Sequence, residues 1–272
     1  MNRTITIFLL SSYFFICCNK KDIETEKSEF KLPVVVNSEL FERDSIRKYE
    51  HEVNYLTSVY PTFIGKFKFN DSIDINPKKK DTSLYNINVK KSEDLKKINQ
   101  SGLELITDYE TTVFFNWFGY ESIAYFNYYP VYLVNSTATN KILFGKDSHV
   151  FGIQEAQDID NYNSWKPIEA KAWDFCGNGH WHLIIRPNEF GLVLMPKYKG
   201  DYKTKLRTRI KNGDNIIVSN SYYGVINKSQ FKIKDSSYVQ RRLNDSNGLD
   251  AFSLFYGAVP YKEDWAVLSA GN

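Results

Sequence analysis

The feature that most constrains the fold is a series of short β-branched and aromatic runs between residues 111 and 226, with no helix-like segment among them. The runs cover 112–118, 122–128, 131–135, 141–144, 150–156, 165–175, 180–186, 191–195, 203–211, 215–219 and 222–226. Such residues fit a pleated, half-buried surface. The breaks carry turn chemistry: 158–163, Cys176-Gly177-Asn178-Gly179, Pro187-Asn188 and Asn212-Gly213. Asn-Gly between two strand-like runs signals a hairpin, because its turn positions need positive φ. Without helical crossovers, consecutive strands pair antiparallel, so a sandwich or barrel is expected.

A hydrophobic fraction of 42% with 25% charged residues excludes wholesale disorder. Thirty-five Lys+Arg against 32 Asp+Glu give a formal charge of +3, without the basic excess of a nucleic-acid binder. No nucleic-acid partner is expected.

The N-terminus reads as an address. Arg3 supplies one positive charge, residues 4–16 are uncharged and rich in Ile, Phe and Leu, and Cys17-Cys18 precedes the polar Asn19-Lys20-Lys21-Asp22. The apolar run is shorter than the ~20 residues of a membrane-spanning helix and has the length of a signal-peptide core. With Phe15 at −3 and Cys17 at −1 of Cys18, the segment resembles the signal of bacterial lipoproteins. That resemblance implies cleavage before Cys18 and its palmitate-type acylation. Cleavage before Cys17 and an ordinary secretory signal are the alternatives. Asn19 after the cysteine implies outer-membrane sorting, periplasmic or surface-exposed. Cys176 would then be the one cysteine left in the body, and no internal disulfide is expected.

The expected organisation is a signal peptide at 1–17, a flexible tether at 18–44, and an N-terminal extension at 45–110. That extension would hold one or two short helices, within 39–57 and over 92–98, and a strand at 61–69. The sheet domain spans 111–235, and a C-terminal segment at 236–272 packs on it. Strand number and spacing resemble the broad immunoglobulin-like class. The expected fold is therefore mainly β: an antiparallel β-sandwich (Ig-like class) with a small α/β N-terminal extension.

Four constellations could carry chemistry. On a strand, His180 and His182 point to one face, about 6.6 Å apart. Asp174 and Cys176 share a face just before them, so the four could converge on Zn²⁺. The alternative is a buried cysteine and two half-exposed sheet histidines. Second, Lys203, Lys205, Arg207, Arg209 and Lys211 alternate with Thr204, Leu206, Thr208 and Ile210. They form a ridge of one sign about 27 Å long. It suits an anionic polymer, unless acids on neighbouring strands answer it. Third, ten aromatic residues crowd 114–132, either as core or as a sugar-stacking row. Fourth, the loops with Asp158, Asp160 and Asn163 and with Asp245, Asn247 and Asp250 offer oxygen ligands for Ca²⁺, or serve as turns.

No phosphate-cradling glycine loop, G-x-S-x-G elbow or H-E-x-x-H occurs. The function expected is that of a non-enzymatic cell-envelope lipoprotein, tied to the membrane by lipid and binding a glycan, an anionic polymer or a protein partner. No cofactor is expected under that reading. The alternative is an extracytoplasmic zinc hydrolase using Asp174, Cys176, His180 and His182.

Overall fold

The computed structural model describes residues 29–36, 47–75, 101–116, 124–174, 177–248 and 250–258. In chain order its strands are β1 (Val34–Val36), β2 (Arg47–Tyr49), β3 (Thr57–Val59), β4 (Thr62–Lys68), β5 (Ser72–Asp74), β6 (Glu104–Thr107), β7 (Val113–Phe115), β8 (Ala124–Asn135) and β9 (Lys141–Lys146). There follow β10 (His149–Asp158), β11 (Ser164–Pro167), β12 (Glu169–Lys171), β13 (His180–Ile185), β14 (Glu189–Pro196), β15 (Tyr202–Asn212), β16 (Asn215–Val218) and β17 (Tyr222–Ile226). Helices α1 (Tyr238–Asp245) and α2 (Ala251–Phe255) close the described chain. The fold is mainly β, as the uninterrupted runs require.

One ladder runs β13-β9-β10-β4-β14-β8-β2, with β6 and β7 also on β8. A second joins β11, β10, β15, β16 and β17. Strand β10 belongs to both. His149 and Val150 pair with β9, and Phe151 to Ala156 pair with β15. At this crossing Gly152 lies where a Cβ would meet the Arg209 carbonyl oxygen at 3.0 Å, so the strands approach closely enough for a side chain to crowd the neighbouring backbone. Ile210 of β15 joins Leu105, Val131, Leu133 and Val193 of the first ladder in one buried cluster. Leu206 and Tyr222 likewise pack with Tyr129. Apolar area shared between the ladders holds them together.

Strand β8 merges the expected runs 122–128 and 131–135, with Pro130 inside it. The Pro130 carbonyl accepts from the Asp108 amide at 3.0 Å, so its nitrogen faces the same side, where β6 has already ended at Thr107. The missing N–H therefore breaks no ladder bond. The run 165–175 instead divides, and β12 pairs with β3 in parallel.

The hairpin expected at Asn212-Gly213 forms between β15 and β16. Asn212 is the last paired residue, and Gly213 (φ 61°) turns the chain. The strand expected over 61–69 is β4, which lies between β10 and β14 in the central ladder. The helix expected within 39–57 is replaced over its described part by β2 and β3. The apolar spacing of Tyr49 and Val53 serves contacts with Phe126 and with the Tyr129 cluster instead. The helix expected over 92–98 lies outside the described residues. Pairing is not wholly antiparallel: β1–β5, β2–β8 and β3–β12 are parallel. Within the stretch expected to be a tether, residues 29–36 are held on the body. Phe30 packs against Phe69, Tyr132 and Phe190, and β1 pairs with β5.

Of the C-terminal segment, the described residues up to Ala258 pack on the sheet, and 259–272 lie outside the described residues. Ser237 caps α1 by accepting from the Gln240 amide. Val239, Leu243, Leu254 and Phe255 bury against Ile153 and Ala170.

Candidate functional site

The β9–β10 turn sets the site. Asp147 takes φ 49°, and Lys146 and His149 face each other across the turn. Lys146 also faces His180 of β13. Opposed residues share a face, so His149, Lys146 and His180 form a row across three strands. Trp181 points the other way, opposite Gly145. It packs on Phe63 at 5.0 Å and donates from Nε1 to the Asp147 carbonyl at 2.9 Å.

Lys146 is only 1% exposed, and its ammonium group is bonded to the Asp174 carboxylate. Tyr60 donates its hydroxyl to the Trp173 carbonyl at 2.5 Å, fastening the segment that carries Asp174. The same ring packs on His149 at 4.8 Å. Burial holds His149 below the usual imidazole range, and the Lys146 and Lys171 charges reinforce this against the opposing pull of Asp147 and Asp174. Burial thus favours the neutral imidazole of His149.

One row further along β13, His182 faces Phe144. The two histidines border a cleft of about 520 Å³. Lys171 of β12, Lys211 of β15, Phe151 of β10, Trp181, and Ser253 and Tyr256 from the α2 end also line it. No acid is among the described residues that line it. Among the described residues none of Lys171, Lys211, His180 and His182 forms an ion pair. The cleft thus offers nitrogen donors over rings, a setting for an anion with an apolar face.

Of the four expected zinc ligands, Cys176 lies outside the described residues. His180 and His182 share a face as expected. Asp174 is turned to Lys146, which competes for its oxygens. Among the described residues no three His, Cys, Asp or Glu side chains gather as a metal site.

The period of two along β15 is seen: Thr204, Leu206, Thr208 and Ile210 are buried, and the cations between them are not. Glu155, 1% exposed, answers two of the cations. Arg207 Nε reaches its Oε2 at 2.8 Å and Arg209 Nε at 3.1 Å. Arg207 also lies over the Trp165 ring at 4.2 Å. Lys211 belongs both to this row and to the cleft, so the two basic constellations meet at one place.

The aromatic run is mostly core in its described part, with Phe114 and Phe126 half-buried. Phe115, Tyr125, Tyr128, Tyr129 and Tyr132 are buried, while Trp117, Phe118 and Tyr120 lie outside the described residues. The acidic loops act as turns. Asn163 and Asn247 take φ 56° and 51°, Asp158 pairs with Lys166 at 3.4 Å, and Asp160 and Asp250 bond to Lys228 and Arg242. Cys18 lies outside the described residues, and among those described no helix is long and apolar enough to cross a membrane.

Two features escaped sequence reasoning. One is the Lys146–Asp174 pair, whose only signal is a lysine ending an apolar run. The other is a buried network around Glu169, which is 0% exposed. It accepts from the Gln154 amide at 2.6 Å, from Gln154 Nε2 at 2.8 Å and from the Tyr198 hydroxyl at 2.5 Å. Burial outweighs these bonds and pushes the Glu169 carboxyl up to about 7.

Comparison of the chain with protein-family models, with curated proteins and with solved structures finds no match.

Proposed function

We propose that the protein is a non-enzymatic binding lipoprotein of the cell envelope, and that the cleft between β13, β15 and α2 takes a segment of acidic glycan. The observation that carries this reading is the lining itself: Lys171, Lys211, His180 and His182, with no acid among the described lining residues, over Phe144, Phe151 and Tyr256. Carboxylates or sulfates of a sugar would accept from the lysines, and C–H faces of the ring would lie on the aromatic groups. The two ladders that share β10 are read as a sandwich of the immunoglobulin-like class, a support for loops and clefts at its ends. The lipobox-like Cys18 would hold the body at the outer membrane.

Calorimetric titration with uronic-acid oligosaccharides tests the cleft. Acidic oligosaccharides are expected to bind and neutral ones of equal length are not, with affinity lost in Lys171→Glu and in Lys211→Glu. Equal binding of acidic and neutral sugars, or binding that survives both reversals, would overturn the reading. A stoichiometric zinc ion that leaves in a His180→Ala, His182→Ala variant would replace it with the hydrolase alternative. For the anchor, Cys18→Ser is expected to move the protein from membrane to soluble fractions.

A further inference from the structure

The outer face of β15 and its neighbours departs from what a solvated sheet needs. The cations of β15 do not blunt a sheet edge, since β15 is paired with β10 on one side and with β16 and β17 on the other. Among their direct cross-strand neighbours Glu155 is the one acid, and it lies buried beneath Arg207 and Arg209. Lys203 and Lys205 are left with apolar neighbours: Val225 faces Lys203, and Tyr223 faces Lys205 with its ring 5.8 Å from the ammonium nitrogen. Further along, Val218 faces Arg209 and Ile216 faces Lys211. These four apolar side chains stay between 37% and 67% exposed. On the far side of the row, Trp165 lies under Arg207. Helices α1 and α2 cover the β10 side of this sheet at Ile153, and the Tyr256 carbonyl at the α2 end accepts from Arg209 at 3.4 Å, while Val218, Tyr223 and Val225 stay exposed.

We infer that this face, built on β15, β16 and β17, docks on an anionic lipid leaflet, with the lysines at the phosphate level and Tyr223, Val225 and Val218 entering the headgroup boundary. The inference goes beyond the glycan cleft and does not require the lipid anchor. Two observations select a leaflet over a soluble polyanion. Exposed aliphatic side chains flanking cations gain nothing from a hydrated polymer, whereas they gain burial at an acyl boundary. Aromatic residues with a polar edge, such as Tyr223 and Trp165, suit that same boundary. Each lysine near an anionic surface favours it by a factor of about five.

The test uses the full chain carrying Tyr223→Trp, with brominated acyl chains in the vesicles as quenchers. An interfacial face sinks about 5–10 Å, within reach of such chains. The emission added by the substitution is expected to be quenched on vesicles containing phosphatidylglycerol and not on phosphatidylcholine alone. Lys203→Glu with Lys205→Glu in the same background is expected to abolish the quenching. Equal quenching on both vesicles, none on either, or quenching that survives charge reversal overturns the inference. So does a response to soluble acidic polysaccharide without one to anionic vesicles, which would make the face a glycan surface. None of these residues lines the cleft, so acidic-oligosaccharide binding is unchanged in these variants and the two readings fail separately.

Discussion

Tyr198 stands between a buried and a half-buried titratable group: its hydroxyl donates to Glu169 Oε1 at 2.5 Å, and its ring lies 6.0 Å from the His51 imidazole. Burial acts on both neighbours but in opposite senses. It raises Glu169 from 4.5 to about 7 and lowers His51 from 6.5 to about 4. The fold therefore favours protonated Glu169 and neutral His51. The Glu169 contribution to stability is complete below pH 4.5 and lost as pH rises through about 7. The His51 contribution is complete above pH 6.5 and lost as pH falls through about 4. Between pH 4.5 and 6.5 the two slopes oppose.

The wild-type melting temperature is thus expected to vary little across that window, and single substitutions should expose the hidden slopes. Glu169→Gln should melt progressively lower as the pH falls from 6.5 to 4. His51→Phe, which keeps the ring packing on Phe126 and Tyr128, should melt lower as the pH rises from 4.5 to 7. Thermal melts in a series of buffers give the answer. Parallel curves for the wild type and both variants would remove the linkage.

The Lys146–Asp174 pair makes a second expectation. Lys146 is enclosed, so removing the Asp174 carboxylate takes a charged partner from a buried ammonium group, and breaking such a buried pair costs about 3–5 kcal/mol. Lys146→Met removes the charge and keeps much of the volume, so it should cost much less than Asp174→Ala. In the double variant most of the Asp174→Ala loss should be recovered. Urea unfolding of the three proteins measures this. If Asp174→Ala is as mild as Lys146→Met, the pair is not the buried contact described here.

Some of this was legible in the sequence and some was not, for reasons of range. The alternation along β15 and the turn at Gly213 depend on neighbours two or three residues away, so period and turn chemistry suffice to find them. That His180 and His182 share a face follows from the same period. Their cleft does not, because Lys171, Lys211 and Tyr256 reach it through the pairing of β9 with β13 and of β10 with β15, and through the packing of α2. Asp174 looked available to a metal because Lys146, 28 residues away, was invisible as its partner. Glu155 was likewise far in sequence from the two arginines it holds. The helix expected within 39–57 gave way because parallel pairing of β2 on β8 and β3 on β12 outweighed a loose helical spacing.

Gly145 provides the last prediction, because it joins local geometry to the cleft. It sits opposite Trp181, and a Cβ there would run into the indole ring and the His149 carbonyl oxygen. The indole is held by its bond to the Asp147 carbonyl and by its packing on Phe63. Gly145→Ala must therefore push the ring outward, at a cost of about 1–3 kcal/mol for an overpacked position. The displaced indole should emit at longer wavelength, and that change should vanish in a Trp181→Phe background. Trp181 lies between His180 and His182 on β13, so a shift of the strand that carries the displaced ring should also lower acidic-oligosaccharide affinity. Unchanged melting together with unmoved Trp181 emission would mean that the ring does not rest on Gly145. The cleft wall assigned to β13 would then need to be redrawn.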